Sequence, residues 1–302
     1  MLQTVDFTKM VPFSVVHFMA LSSPFVYSGA GLGLCVVMIL VLGQLGVVLG
    51  YHRLLAHHSY RTCRTMKYML ALCGVLAVQG GPISWVAIHR SHHRAPDQLN
   101  DPHSPMRSVV WSYLLWVFLP NANVPDHREK RLLARDIAGD AVMTFLEERH
   151  TEITLLFASG LFVGGVCIGG VPAGLSLLVW GYCIPLVYTW HATALVVAAT
   201  HRWGYRSYRT ADNSRNLWWV SVFTFGEGWH NNHHADSRSA MIGHRWFEID
   251  PTYKMIRAME LIGLAYRVRV PGRTVIQRLS ICGRGLAFTS EGQGEEERTA
   301  AS

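Results

Sequence analysis

Apolar and polar positions along this chain are segregated into long blocks. No Asp, Glu, Lys or Arg occurs between Lys9 and Arg53, nor between Glu152 and Arg202. These gaps, positions 10–52 and 153–201, hold 43 and 49 residues, and one helical crossing of a bilayer needs about 20. Each gap is therefore long enough for two helices. The runs Ser28-Gly29-Ala30-Gly31 and Gly169-Gly170-Val171-Pro172 supply a break in each. The pattern predicts four transmembrane helices, near 11–28, 32–51, 152–168 and 175–200, paired as two hairpins. Gly160, Gly164 and Gly165 give the second hairpin a small-residue spacing suited to close helix packing.

Composition agrees: half the residues are apolar and only 16% are charged. Charge then orients the hairpins. Of the 27 Lys and Arg, 12 lie in 53–151 and 14 in 201–302, Lys9 is the remaining one, and neither hairpin turn has any. The positive-inside rule places segments 52–151 and 201–285 and both termini in the cytoplasm. The predicted fold is thus an all-α, multi-pass integral membrane protein, with one domain over 1–285 and a helical cytosolic cap. A bacterial inner membrane is the expected location. MLQTVDFTK lacks a basic leader, so insertion is expected through the first span. The acidic end, 286–302, reads as a disordered tail. A sequence pI of 9.2 would also suit nucleic acid, but no recognition motif accompanies it. The six cysteines are scattered without a CxxC pair, implying neither disulfides nor a zinc knuckle.

The sixteen histidines concentrate in three clusters: HRLLAHH at 52–58, HRSHH at 89–93 and HNNHH at 230–234. The last two share the spacing H-x-x-H-H. On a helix i, i+3 and i+4 fall on one face, so each could present three imidazoles together. His52 and His57, five apart, would straddle a site on a regular helix, roughly 140° around it. His201 stands where the fourth span ends. Because both hairpins return to one side, the candidate metal ligands His52, His57, His89, His92, His93, His201, His230, His233 and His234 share a membrane face. Nine exceed what one catalytic zinc uses and suit two ions, although imidazole alone does not choose among iron, copper, nickel and zinc. Asp101, Glu227, Asn231 and Asp236 lie beside the clusters as candidates to accept the second ring N–H of a ligand. His17, His103, His127, His150, His191 and His244 read as packed or solvated side chains, and His58 is off the spacing. Trp85, Trp218, Trp219 and Trp229 suit either a substrate tunnel or the membrane interface. Arg53, Arg90 and Arg94 suit either a phosphate headgroup or plain surface charge.

With GYHRLLAHHSY, AIHRSHHR, DPHS, HRWGYRSY and TFGEGWHNNHHADSRSA in their present order, the chain resembles the membrane-bound fatty-acyl desaturases, particularly the bacterial and cyanobacterial delta-9 type. The resemblance covers about residues 10 to 270. It implies that the nine histidines bind two iron ions on the cytosolic side of four spans, and that a bent tunnel presents one methylene pair of an acyl chain to them. The activity implied is O₂-dependent insertion of a cis double bond into a saturated acyl-CoA or glycerolipid chain. Two departures stand out in T193-A-L-V-V-A-A-T-H201: Val197 replaces a family Asn that holds a water on one iron, and Ala194 replaces a family Trp. A family histidine after DPH is replaced by Tyr113.

Iron suits the implied reaction because an unactivated methylene demands an oxidant made from O₂, and neutral imidazoles leave positions for O₂. The sequence has no haem-attachment, flavin or four-cysteine cluster motif. Two electrons must then come from a separate donor, of ferredoxin or cytochrome b5 type with its reductase, docking on the basic surface. A hydroxylase on the same scaffold is the alternative enzyme. A metal transporter predicts ionisable groups within the spans, where only His17 and His191 occur. An intramembrane zinc protease requires H-E-x-x-H, which is absent from the sequence.

Overall fold

A computed structural model describes residues 4–272; the acidic tail and Cys282 lie outside them. The chain is mostly helical. In order, the elements are α1 (Phe7–Leu21), α2 (Gly29–Ile39, continued by a π-helical stretch Leu40–Ala56), α3 (Arg64–Leu76), α4 (Pro82–Arg94), α5 (Trp116–Phe118, entered through a π turn at Trp111–Leu115), α6 (His127–Leu133), α7 (Arg135–Ala138), α8 (Ala141–Glu148), α9 (His150–Leu178), α10 (Ile184–Ala199, joined to α9 by a π turn at Val179–Cys183), α11 (Trp218–Phe223), α12 (His230–Ala235) and α13 (Pro251–Leu261). A two-residue antiparallel pair, β1 (Arg61–Thr62) with β2 (Ala265–Tyr266), matches Arg61 to Tyr266.

Among the described residues two helical runs are long and apolar enough to cross a membrane, Gly29–Ala56 and His150–Ala199; α1 is a shorter apolar helix. The second run is two helices in space. Gly169 and Gly170 leave helical geometry, Gly170 at φ +74°, within the Gly-Gly-Val-Pro break. That sign of φ suits glycine, which has no Cβ to clash. The first apolar block differs from its expected boundaries. α1 begins at Phe7, where the Asp6 carboxylate accepts from the Thr8 N–H, and stops at Leu21, before the short 3₁₀ turn Ser23–Val26 containing Pro24. Large apolar side chains such as Phe18, Leu21, Phe25, Leu156 and Ile168 stand exposed on α1, the turn after it and α9. A surface of that kind is unfavourable in water and suits lipid.

The main core lies where the polar segments meet the end of α2. Leu49, Tyr51, Leu54 and Leu55 pack against Leu70 and Val75 of α3, Ile83 and Val86 of α4, Met143 and Leu146 of α8 and Ile256 of α13. α3 lies against α2 because Gly46 has no side chain: a Cβ there would come 2.5 Å from the Cys73 carbonyl. Backbone cannot withdraw as a flexible side chain can. Gly46→Val is therefore expected to cost about 1–3 kcal/mol through overpacking, read as a lowered unfolding midpoint in detergent. An unchanged midpoint would contradict this account of the α2–α3 contact.

α1 is tied to α10 by polar groups inside an apolar setting. His17 Nδ1 lies 2.8 Å from the Phe13 carbonyl, His17 Nε2 lies 3.0 Å from His191 Nε2, and His191 Nδ1 lies 2.6 Å from the Tyr113 hydroxyl. Phe13 also stacks on Trp190.

Candidate metal centre

The π-helical stretch of α2 sets the first ligands. Its wider turn bonds residues five apart, and the His57 N–H donates to the His52 carbonyl at 3.1 Å. The two rings consequently sit 4.7 Å apart, close to perpendicular. The straddling geometry expected of a regular helix is replaced by two imidazoles on one side. The open carbonyl end of this helix is closed by Arg90, which donates to Leu55 O, Ala56 O and Leu133 O and pairs with Asp136. Arg90 is thus committed to holding α2 and α4 together.

α4 and α12 bring the H-x-x-H-H clusters face to face, and each cluster is divided between two groups. His52, His57, His89, His93 and His233 form one; His92, His201, His230 and His234 form the other. Within a group the nitrogen atoms that could bind an ion all lie within 4.8 Å of one another. The division follows from helix geometry at about 100° per residue. The i, i+4 pairs, His89/His93 and His230/His234, stay together, whereas His92 and His233 point about 100° away from the histidines that follow them. Each odd residue crosses to the group built mainly by the other helix. The contacts run between Nε2 atoms: His52–His233 3.2 Å, His93–His233 3.1 Å, His57–His89 2.6 Å and His201–His230 3.0 Å.

Carboxylates stand behind four of these rings. The Glu227 carboxylate lies 2.6 Å from His52 Nδ1, Asp101 2.9 Å from His92 Nδ1, Asp97 3.1 Å from His201 Nδ1 and Asp212 2.7 Å from His234 Nδ1. An acceptor at Nδ1 holds the proton there and leaves Nε2 free to bind a metal. Glu227 is in turn held by Arg53, whose guanidinium also meets Asp250 at 2.9 Å and donates to Ala240 O. Arg53 is 1% exposed, so it is an internal strut and not a headgroup contact.

Asp97 and Asp212 were not among the sequence candidates. Asp97 follows HRSHH in a loop at φ +63°, and Asp212 arrives from a loop 22 residues before His234, a distance no local spacing reveals. Asn231 and Asp236, by contrast, are placed elsewhere. Asn231 accepts from the Ser207 and Tyr208 N–H groups and donates to Tyr208 O, fastening the 205–216 loop to α12. The Asp236 side chain makes no hydrogen bond to a ligand ring among the described residues; burial raises its carboxyl, which faces His244 and Arg238.

Electrostatics favour neutral imidazole, the form that binds metal. Burial, then repulsion from neighbouring imidazoles, pushes His57, His89, His93, His230 and His233 well below the ordinary histidine range. Burial also lowers His234, to about 4, although Asp212 opposes it. Against burial, which would raise them, hydrogen bonds from His92 and His234 hold Asp101 and Asp212 well below the carboxylate range. Glu227 is held down to about 2, with His52 and Arg53 outweighing its burial.

These shifts predict the acid sensitivity of the metal-free protein. Histidines lowered in the folded state take up protons first when the chain unfolds, near pH 6.5. Their stabilising contribution is therefore complete above about pH 6.5 and is lost as pH falls toward the folded value, about 4 for His234. Glu227 adds stability above its ordinary 4.5 that disappears only toward 2. Chelator-treated protein should show an unfolding midpoint that is flat above pH 7 and drops between about 6.5 and 4. A midpoint constant over that window would refute the account.

Two further features border the groups. Trp85 stacks on His89 at 5.1 Å, and its indole N–H donates to Gln79, whose amide donates to Thr193 on α10. His103 is buried, with its ring 4.5 Å from His92; burial lowers it to about 3. Val197 lies one turn before His201, partly buried. The donor set fits metal ions: it is all imidazole, largely neutral and convergent at Nε2. His234 Nε2 is moreover buried with no hydrogen-bond partner, a costly arrangement for an atom with no other role.

Mostly helical, with two helices long and apolar enough to cross a membrane and a buried double set of imidazoles that could hold metal ions, the protein has the features of a membrane-associated metal-binding protein. Comparison with known proteins narrows this class. A model of the family described as fatty acid desaturase matches residues 30–269. The chain is 40% identical over 261 residues to the sn-2 palmitoyl-lipid 9-desaturase of Nostoc sp. (strain 36), covering 86% of this chain and 89% of that relative. It is 41% identical over 244 residues to the sn-1 stearoyl-lipid 9-desaturase of Anabaena variabilis, with 81% and 86% covered. It is 38% identical over 277 residues to Delta-9 acyl-lipid desaturase 1 of Arabidopsis thaliana, with 92% and 88% covered. The chain belongs to the fatty acid desaturase family and is an oxidoreductase of lipid metabolism.

Proposed function

We propose that this enzyme inserts a cis double bond at the delta-9 position of a saturated acyl chain carried by a membrane glycerolipid, using O₂ and two histidine-held iron ions. The observation that carries the reading is the convergence of nine imidazoles into two groups. The names of the three relatives above, all lipid 9-desaturases, support the position and the carrier. His52, His57, His89, His93 and His233 would hold one iron, and His92, His201, His230 and His234 the other. Bound iron supplies the O₂-dependent oxidation that removes a hydrogen from each of two adjacent carbons. The chain's own residues provide the setting: Asp101, Asp97 and Asp212 would keep protons at Nδ1 of His92, His201 and His234, Glu227 stands against His52, and burial lowers His57, His89, His93, His230, His233 and His234 toward the neutral form. The Trp85–Gln79–Thr193 link holds an aromatic wall against His89, where an acyl chain running along α10 would pass.

In this reading the chain crosses the membrane four times, near 11–28, 32–51, 152–168 and 175–200, with one domain over 1–285. Both termini and the metal groups face the cytoplasm, where the excess of Lys and Arg would receive an acidic electron donor of ferredoxin or cytochrome b5 type. Expression in a host lacking its own desaturase, followed by gas-chromatographic profiling of each lipid class, tests the proposal. The expected result is a delta-9 monounsaturated acid in glycerolipids before it appears elsewhere. An unchanged profile, or a hydroxylated chain without a double bond, would overturn it.

A further inference from the structure

The two groups of histidines are alike in their ligands and unlike in what stands behind them. Imidazole binds a metal ion in its neutral form, so ligand rings would add no charge to either position. Behind the four-histidine group, three of four rings meet a carboxylate: His92 with Asp101, His201 with Asp97 and His234 with Asp212. Among the described residues, none of these carboxylates forms a salt bridge with a Lys or Arg; their other partners are hydroxyls, backbone N–H groups and neutral rings. Behind the five-histidine group, among the described residues, only His52 meets a carboxylate, Glu227, and that charge is shared with Arg53 and Asp250. The outer charge is therefore three negatives on one side. On the other it is Glu227, Asp250 and Asp136 against Arg53 and Arg90, a net of one negative.

Negative charge a few ångströms behind a ligand favours the more positive ion in front of it, most strongly where water is excluded. We propose that Asp97, Asp101 and Asp212 make the four-histidine position the one that holds the more highly charged ion. It would then be the first of the two to be oxidised and the last to be reduced. These three carboxylates act as positioning residues through their histidines. The step is a one-electron oxidation, Fe(II) to Fe(III), with the electron taken by an added oxidant. This rests on the iron-pair reading above.

The test uses full-length protein loaded with ⁵⁷Fe in detergent, kept anaerobic and oxidised by ferricyanide in half-equivalents, with Mössbauer spectra at each step. In the wild type one of two ferrous doublets should convert ahead of the other, with a preference on the order of tenfold or more, the size of effect seen for partners behind metal ligands. Asp212→Asn, or Asp97→Asn should the first fail to fold, should alter the doublet that converts first and reduce that preference. Glu227→Gln should alter the other doublet and leave the order intact. Doublets that convert together in the wild type, or an order changed by Glu227→Gln and not by the aspartate variants, would overturn the inference. Protein that binds no iron pair overturns the underlying reading and this inference with it. Two bound irons that convert together overturn this inference alone.

Discussion

His233→Ala is expected to lower double-bond formation by more than about 100-fold while the protein still folds and inserts. His233 Nε2 sits between His52 and His93, at 3.2 and 3.1 Å, so it is central to the five-histidine group. Losing a residue that merely orients a ligand costs about 10–100-fold in affinity or activity, and losing the ligand itself should cost more. Two measurements check this: the fatty-acid profile of the expressing host, and iron per chain in purified protein, expected to fall from two toward one. His127→Ala, at an exposed position outside both groups, should leave both values unchanged. Full product from His233→Ala would remove the basis for assigning chemistry to these histidines.

The largest effect on stability is expected at Arg53. Its guanidinium is buried and makes charged contacts to both Glu227 and Asp250. Arg53→Leu would leave two carboxylates with no cation in a site closed to water. Breaking a buried pair in this way costs about 3–5 kcal/mol, enough to remove most folded protein from a marginally stable domain. Arg53→Lys should recover only part, since an ammonium cannot make the forked contacts that Arg53 makes to two carboxylates and a carbonyl. Denaturation in detergent decides the matter, and a change of less than about 1 kcal/mol for Arg53→Leu would show that the bridge contributes little.

Arg53 also shows where a sequence stops being informative. The nine histidines stand out because their spacing repeats and because charge places them on one face, and the structure gathers those nine. The H-x-x-H-H spacing already implies that one histidine of each run points away from the i, i+4 pair; what it could not reveal is that the odd histidine of each run joins the other group, because α4 and α12 meet only in the fold. The close approach of His52 and His57 needs a π-helical stretch, and no residue in LGQLGVVLGYHRLLA announces one. Asp101 and Glu227 lie near the clusters in sequence and behind them in space, whereas Asp212 comes from a distant loop. Arg53 reads as a surface cation because it neighbours a cluster at the end of an apolar run. Only the fold shows that Asp250, nearly two hundred positions away, turns it inward. The apolar blocks were easier to read, as charge is costly within a bilayer and its absence persists over dozens of residues. Their ends were less legible, as α1 shows by beginning at Phe7 and stopping at Leu21.

The chain of contacts from Phe13 to Tyr113 has a direction. A carbonyl oxygen can only accept, so His17 must carry its proton on Nδ1, facing Phe13. Its Nε2 is then an acceptor, and His191 must donate from Nε2 and accept at Nδ1. The Tyr113 hydroxyl is left to donate into that ring. Every proton in the series is assigned by the first carbonyl, and every lone pair but those on the tyrosine oxygen is used. Tyr113 ends the series with the one hydrogen that is free to turn, so the order of donors between α1 and α10 is set from the Phe13 end. Replacing His191 by Phe would cut the row in the middle and leave His17 Nε2 and the Tyr113 hydroxyl both without the partner that links the two helices.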